Sequence, residues 1–179
     1  MKTKKMRYVW FLVILCIFCL TLFLARTRSK VEMRNRIYHQ WNEHFVVSKG
    51  KESYVRTTND SNQTVVLSEA QSYGMLITVA AAEKGQAQQA DFDRLYHYYL
   101  NHRLEGTQLM SWKQTISNGK AKDEDHNATD GDLYIAYALI KAAHQWPKQA
   151  KDYQAQAKAI LEDILAHNYN EETGVLTVG

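Results

Sequence analysis

Apolar residues form one uninterrupted run near the start of the chain and helical stripes further on. Residues 8–25 (YVWFLVILCIFCLTLFLA) contain no charged side chain. At a rise of about 1.5 Å per residue, they are just long enough to cross a bilayer core of about 30 Å. Lysines and arginines flank both ends and are slightly denser before the run, which predicts a cytoplasmic N-terminus. The pattern therefore predicts a single transmembrane segment within residues 1–30.

A cleaved signal peptide is the alternative interpretation of the same run. Cleavage requires small residues at positions −3 and −1 before the cut. Ala25 fits position −1, but Phe23 then occupies position −3. We favour an uncleaved signal-anchor in the cell membrane. Under either interpretation residues 31–179 lie outside the cytoplasm, as an anchored or a secreted domain.

The rest of the chain is dominated by apolar residues at intervals of three and four, the spacing of amphipathic helices. The polar stretch 48–63 predicts a loop or short strands, and 103–129 predicts a long connection of the kind that usually has a function. The fold class is therefore all-α. The five helical stripes contain Met33, Ile37, Trp41 and Phe45; Met75, Leu76 and Val79; Phe92, Leu95 and Tyr99; Leu133, Ile135 and Leu139; and Tyr153, Ile160 and Ile164.

Several residues mark where these helices begin and end. Ser68 followed by Gln71 predicts a capping box at the start of the second helix, and Gly85 predicts its end. Pro147 predicts the end of the fourth helix, because proline cannot continue a helix. From Leu133 onward the fourth helix is apolar almost all round, which predicts neighbours on several of its sides.

Composition is that of a globular protein, with 45% hydrophobic and 23% charged residues. The net charge is only +3, and much of the positive charge lies beside the apolar run. A nucleic acid is therefore not expected as a partner. Both cysteines, Cys16 and Cys19, lie inside the apolar run, so the rest of the chain has no disulfide framework. No cofactor is predicted.

One acidic stretch resembles the beginning of a calcium-binding loop. Residues 123–127 (DEDHN) have the first part of the pattern. Position six of such a loop requires Gly and position twelve requires Glu, but Ala128 and Tyr134 occupy these positions. We therefore predict no metal site.

Two acidic positions lie at the start of a helix, directly after a loop. These are Glu69, and Asp130 with Asp132. Helix N-termini stabilise carboxylates, so one interpretation is structural, with Glu69 as a capping residue and Asp130 as an N-cap. The functional interpretation is a pair of carboxylates in one cleft, since hydrolysis of a glycosidic bond needs an acid and a second carboxylate. Tyr73 and Trp112 would then be stacking platforms for sugar rings, although Trp112 alone is equally compatible with a core position.

Three segments together resemble a known family. Residues 128–146 (ATDGDLYIAYALIKAAHQW) resemble the signature of glycoside hydrolase family 8, which is A-[ST]-D-[AG]-D, two free positions, [IM]-A and a trailing Trp. Residues 68–75 (SEAQSYGM) resemble the general-acid motif of this family, and residues 109–113 (LMSWK) resemble the loop that follows it. The three segments occur in the family's order, and the resemblance covers residues 41–179.

The resemblance implies an (α/α)6 barrel that hydrolyses β-1,4 linkages in cellulose, chitosan, xylan or mixed-linkage glucan with inversion. Glu69 corresponds to the general acid. Asp130 corresponds to the aspartate that binds the sugar at the cleavage site and is needed for activity. Tyr73, Trp112 and Asp132 are the expected substrate-binding residues. The expected partners are a β-1,4-linked polysaccharide and, through the N-terminal helix, the membrane.

Length limits how much of such a barrel the chain can form, because family barrels use about twelve helices and this chain supplies about five. The family's catalytic base lies in the second half of the barrel. The resemblance therefore implies a member truncated at its C-terminus, with residues 31–179 as the N-terminal part of the barrel. Two alternatives remain open: a membrane-anchored module that binds glycan through Trp112, Tyr73 and the acidic loop without cleaving it, and an inactive remnant.

Overall fold

The computed structural model describes residues 2–57 and 63–179, with side chains from residue 6 onward. Part of the predicted loop 48–63 therefore lies outside the described residues. The chain divides into two compact units, Met1–Gln40 and Trp41–Gly179. The expectation that residues 1–30 and 31–179 are separate domains stays a prediction.

The first unit lies within one long helix, α1, which runs over Lys2–Phe45. The apolar side chains of residues 8–25 are exposed; Phe11 is 64% and Phe23 is 67% accessible. No glycine or proline occurs between residues 26 and 45, so nothing in the backbone separates the apolar run from the predicted helix that follows it. Among the described residues, α1 is the one helix that is both long enough and apolar enough to cross a membrane. A membrane anchor and a signal sequence both have this form.

The second unit contains the four other predicted helices, close to their predicted ends. Gly85 has a φ of +72°, and its N–H donates to the carbonyl of Ala82 at 2.9 Å, as expected of a residue that stops a helix. Pro147 starts a short 3₁₀ turn after the fourth helix. The helices are α2 (Ser68–Ala82), α3 (Gln89–Asn101), α4 (Thr129–Gln145) and α5 (Ala150–His167).

The described residues form seven short strands, five in the connections between helices and two after α5, and all their pairings are antiparallel. The long connection 103–129 contains a β-hairpin that joins a third strand from before α2. These strands are too short for an alternating pattern to be recognised in the sequence. They are β1 (Val46–Lys49), β2 (Glu52–Val55), β3 (Thr64–Leu67), β4 (Lys113–Ser117), β5 (Lys120–Asp123), β6 (Tyr169–Asn170) and β7 (Val175–Leu176).

The predicted capping box at the start of α2 is wrong. The N-cap residue is Leu67, which makes no side-chain cap bond, and Ser68 is buried with no hydrogen-bond partner for its hydroxyl among the described residues. The Gln71 side chain accepts from the Val55 amide at 2.9 Å and donates to the carbonyls of Ser53 and Leu95 at 3.0 and 2.9 Å. Gln71 therefore satisfies buried backbone groups of β2 and α3, and it does not cap the start of its own helix.

The core lies where α4 packs between α2 and α5 and where α3 packs against α2 and β2. Helix α4 has one buried face and one apolar face that remains exposed, although its all-round apolar sequence predicted neighbours on several sides. The exposed residues include Leu133, Tyr134, Tyr137 and Ile140. They follow one another at helical spacing, so they form a continuous stripe along the helix.

Candidate functional site

The N-termini of α2 and α4 are in direct contact. A Cβ atom built on Gly131 would lie 2.3 Å from the Ser68 hydroxyl oxygen and 3.1 Å from the backbone nitrogen of Glu69. Only a residue without a side chain therefore fits at position 131. This close approach places Glu69 and Asp130, which are both exposed, at the same end of two adjacent helices.

We expect Gly131→Ala to destabilise the fold and to push the two helix starts apart. Overpacking of this kind typically costs about 1–3 kcal/mol, which corresponds to a fall in melting temperature of several degrees for a unit of this size. Thermal denaturation followed by circular dichroism measures the loss. Adding Ser68→Gly to the same chain removes Ser68 Oγ and Cβ, the two atoms nearest to the new side chain, and should restore part of the lost stability. A Gly131→Ala protein that melts like the wild type would show that the helices are not in contact there.

Neither candidate carboxylate is used as a helix cap. Helix α4 begins at Thr129 with Ala128 as its N-cap, and the α2 N-cap is Leu67; neither makes a side-chain cap bond. The interpretation of Asp130 as an N-cap is therefore wrong. One Asp130 oxygen accepts from the adjacent Gly131 amide at 2.7 Å. Both side chains remain open to solvent and to a ligand.

Aromatic rings extend from these carboxylates along the exposed side of the two helices. Tyr73 is one turn after Glu69, and its ring centroid lies 5.1 Å from that of Tyr134 on α4. Local desolvation raises the pKa of the Tyr73 phenol, and its interactions with Tyr134 and Glu69 raise it further. The phenol therefore stays protonated beside Glu69. Sequence reasoning missed Tyr134, although its position four residues after Asp130 places both on one helix face.

Trp112 is connected to the start of α2 through the backbone. Its carbonyl accepts from the Ser68 amide at 2.9 Å, and its amide donates to the carbonyl of His126 at 2.9 Å. The half-buried indole is roughly parallel to the His126 ring, with 5.5 Å between centroids, and Lys113 Nζ lies 5.5 Å from the indole centroid. The connection 103–129 therefore places the backbone of Trp112 beside Ser68, the residue that precedes Glu69. Sequence reasoning did not single out His126.

Asp132 lies beneath this surface, with 0% exposure. One of its carboxylate oxygens accepts from the Met110 amide and the other from the Asn127 side-chain amide, both at 2.8 Å. Burial raises the pKa of Asp132 to about 7, although these two hydrogen bonds lower it. This geometry is typical of a residue that holds loops in place. Its expected role as a direct substrate contact stays a prediction.

A second connection holds the start of α4 from the other side. Thr129 donates its amide to the carbonyl of Val178 at 3.1 Å and its hydroxyl to the carbonyl of Thr177 at 2.7 Å. Asn168 and Asn127 exchange side-chain hydrogen bonds of 3.1 and 3.4 Å. The bond from the Thr129 amide satisfies one backbone N–H at the helix terminus that would otherwise be unpaired, and the other bonds hold the adjacent segments together.

Within the described part of the chain, no three His, Cys, Asp or Glu side chains lie close enough together to hold a metal ion. The exposed groups at the helix starts are two carboxylates flanked by aromatic rings. Carboxylic acids serve glycosidases as proton donors and water activators, and aromatic faces combine an apolar surface with a polar edge. Exposed carboxylates with aromatic rings on a helical scaffold are features that this chain shares with the class of α-helical glycoside hydrolases.

The chain belongs to glycosyl hydrolases family 8, whose family model matches residues 12–179. It is 34% identical over 144 residues to a beta-glucanase from Niallia circulans, across 79% of this chain and 34% of the relative. It is 31% identical over 145 residues to endoglucanase C from Ruminiclostridium cellulolyticum, across 79% of this chain and 30% of that protein.

Solved structures agree with this assignment. The apo structure of a beta-1,3-1,4-glucanase from Paenibacillus sp. X4 superposes with a TM-score of 0.70 and 29% identity, across 84% of this chain and 40% of that one. The fold is therefore that of part of an (α/α)6 barrel, as the resemblance implied. The chain spans about a third of the length of the curated relatives that it matches.

Proposed function

We propose that this chain provides the proton-donor side of a site that hydrolyses β-1,4-linked polysaccharide, a cellulose-like glucan foremost, with inversion. The observation that supports this most strongly is the contact between Gly131 and Ser68, which brings Glu69 and Asp130 to one exposed place with both carboxylates unused by capping. The names of the relatives, beta-glucanase and endoglucanase C, are consistent with this substrate class.

In this proposal Glu69 donates its proton to the glycosidic oxygen as the bond to the leaving sugar breaks. Asp130 accepts hydrogen bonds from the hydroxyls of the sugar at the cleavage point. Tyr73, with its phenol beside Glu69, orients that carboxyl group. The rings of Tyr73, Tyr134 and Trp112 contact the apolar faces of the sugar rings.

Inversion also needs a base that activates water, at a typical carboxyl–carboxyl separation of about 6.5–9.5 Å from the acid. Asp132 does not fit this role, because it is fully buried and both of its oxygens accept protein hydrogen bonds. We propose that Asp132 instead positions the loops on either side of Asp130. No residue of this chain is assigned as the base.

The proposal is tested with the full chain in a detergent without a sugar headgroup. Reducing-end release is measured on cellulose, mixed-linkage glucan, xylan and chitosan oligomers, and the anomer that forms first is identified by proton NMR. We expect cleavage of the glucan oligomers with an α-anomer as the first product, which requires that a carboxylate elsewhere in the chain or in a second copy serves as the base. A β-anomer would contradict inversion, and cleavage of xylan or chitosan alone would contradict the choice of glucan.

Glycan binding without cleavage is the second candidate function. It is favoured by the position of Asp132, the third carboxylate at these helix starts, which is buried with both oxygens accepting protein hydrogen bonds and therefore does not activate water. This function predicts that cello-oligosaccharides bind without turnover and that Trp112→Ala weakens their binding. Binding that is unchanged in Trp112→Ala would count against it.

We also propose that α1 is an uncleaved, single-pass membrane anchor and that the rest of the chain acts outside the cytoplasm, where trimming of an exported polysaccharide is a suitable task. The helix continues through Ala25 without a break, and Phe23 does not fit a cleavage site. The protein should remain in the membrane fraction after extraction with alkaline carbonate, at the mass of the full chain. A soluble product that begins at Arg26 would contradict the anchor.

A further inference from the structure

A recess lies at the far end of the three-stranded sheet, away from the candidate site. Its volume is about 510 Å³, within the usual range of about 300–1,000 Å³ for ligand sites. Leu67, the last residue of β3, leads into Ser68 at the candidate site, whereas Thr64, the first residue of β3, lines the recess. At about 3.3 Å per residue, the strand separates the two places by about 10 Å.

One residue that lines this recess has a buried hydroxyl group without a partner. Tyr98 is 2% exposed and lines the cavity, and its hydroxyl has no hydrogen-bond partner among the described residues. Burial raises the pKa of this phenol, and the nearby Asp123, Tyr54 and Glu52 raise it further. The group therefore stays protonated and can donate a hydrogen bond. Leaving a buried donor unpaired is unfavourable, so a ligand that accepts a hydrogen bond from it removes that cost.

Aromatic rings form the inner wall of the recess. The ring centroid of Tyr98 lies 5.3 Å from that of Tyr54 and 4.1 Å from that of His102. Tyr54 and His102 are only partly buried and also line the cavity. The wall therefore offers flat apolar area together with phenol and imidazole edges, as in sites where amphipathic rings contact a ligand.

The charged groups around the recess already have partners of their own. Lys49 Nζ donates to the carbonyl of Gly119 at 2.8 Å, which links the turn after β1 to the turn between β4 and β5. Asn101 donates to the Glu52 carboxylate. His102 Nδ1 and Asp123 Oδ1 are 2.7 Å apart. Among the residues that line the recess, Lys49 and Glu52 have formal charges of opposite sign, so the lining has no excess charge and favours a neutral ligand with many hydroxyl groups.

We propose that this recess is a second binding site for the neutral polysaccharide, distinct from the site at Glu69 and Asp130. A sugar hydroxyl accepts from the Tyr98 phenol, and the apolar faces of the sugar contact Tyr54 and His102. An extended polymer can contact both places, which increases the effective concentration of chain at the candidate site. The identity of the sugar rests on the proposed function, whereas the site itself does not require hydrolysis.

Tyr98→Phe tests the proposal because it removes only the unpartnered hydroxyl. Cellohexaose binding to the full chain, in a detergent without a sugar headgroup, is measured by isothermal titration calorimetry. We expect the dissociation constant to rise about three- to tenfold, the loss of about one hydrogen bond. Tyr96→Phe is the matched control: it removes a phenol from the same helix outside the recess and should leave binding unchanged.

A second measurement isolates the recess. In a Trp112→Ala chain, binding that remains should fall further when Tyr98→Phe is added. The proposal is overturned if Tyr98→Phe leaves the remaining binding unchanged. It is also overturned if Tyr96→Phe weakens binding as much as Tyr98→Phe does. If the wild-type chain shows no turnover but Tyr98→Phe still lowers the affinity for cellohexaose, the proposed hydrolysis is contradicted and the second binding site is supported.

Discussion

Replacing Glu69 by Gln should reduce hydrolysis of glucan oligomers by about 10²- to 10⁴-fold, the usual contribution of a general acid. Glutamine has nearly the same shape and can still contact the sugar, but it has no proton to give to the leaving oxygen. Substrate binding should therefore change little while turnover is lost. Reducing-end release and calorimetric binding, measured on the same preparation, separate the two effects.

An exposed glutamate away from the helix starts is the control. Glu105→Gln makes the same chemical change in an exposed position of the connection between α3 and β4 and should leave turnover unchanged. If Glu69→Gln retains full activity, the proposed role of Glu69 is wrong. If the wild-type chain binds the oligomers but never cleaves them, the binding function replaces the hydrolytic one, and Glu69→Gln should then affect affinity only slightly.

Replacing Asp132 by Ala should cost about 3 kcal/mol of folding stability. The change removes an acceptor for two donors, the Met110 amide and the Asn127 side chain, and each buried unpaired donor costs about 1–3 kcal/mol. Chemical denaturation followed by intrinsic fluorescence measures the loss. The start of α4 should loosen as well, since Asn127 lies directly before it.

The same carboxyl group should make stability depend on pH. Burial raises the pKa of Asp132 to about 7 from an unfolded value of 3.8, so between these values the folded chain binds more protons than the unfolded one. Its contribution to the free energy of unfolding is complete below about pH 4 and is lost as pH rises towards 7, at no more than about 1.4 kcal/mol per pH unit.

Asp132→Asn isolates this effect because an amide does not titrate. The stability of Asp132→Asn relative to the wild type should rise as pH increases from about 4 to about 7. Asp152→Asn, on the exposed side of α5, is the matched control and should follow the wild-type curve. A constant difference between Asp132→Asn and the wild type over this range would show that Asp132 is ionised throughout.

Much of the helical architecture could be predicted because helix formation depends on residues that are close in sequence. The stripe around Phe92 and Leu95 predicted α3, and Pro147 predicted the end of α4. Helix α1 was longer than expected because no residue between the apolar run and Phe45 can stop a helix. The strands were predicted poorly, since each is short and is held by a partner elsewhere in the chain.

The candidate site was predicted in part. Glu69, Tyr73 and Asp130 lie in segments with a recognisable pattern, and the structure brings them to one surface. Tyr134 and His126 were missed because a pattern of spacing cannot show which side of a helix or loop faces the site. The predicted capping box failed because Gln71 is needed by buried donors and acceptors of β2 and α3, which are not visible in the local sequence.

The sequence by itself determined the apolar segment, the helices and the family, because hydropathy, periodicity and the signature around Asp130 are local properties. Only the tertiary structure decided which carboxylates are exposed and which is buried, since that depends on how α2 and α4 meet at Gly131. It also created the recess at Tyr98, whose walls come from residues as distant in the chain as Lys49 and Gly119. Contacts of that kind exist only after the elements have packed, because burial and close approach are properties of the whole fold.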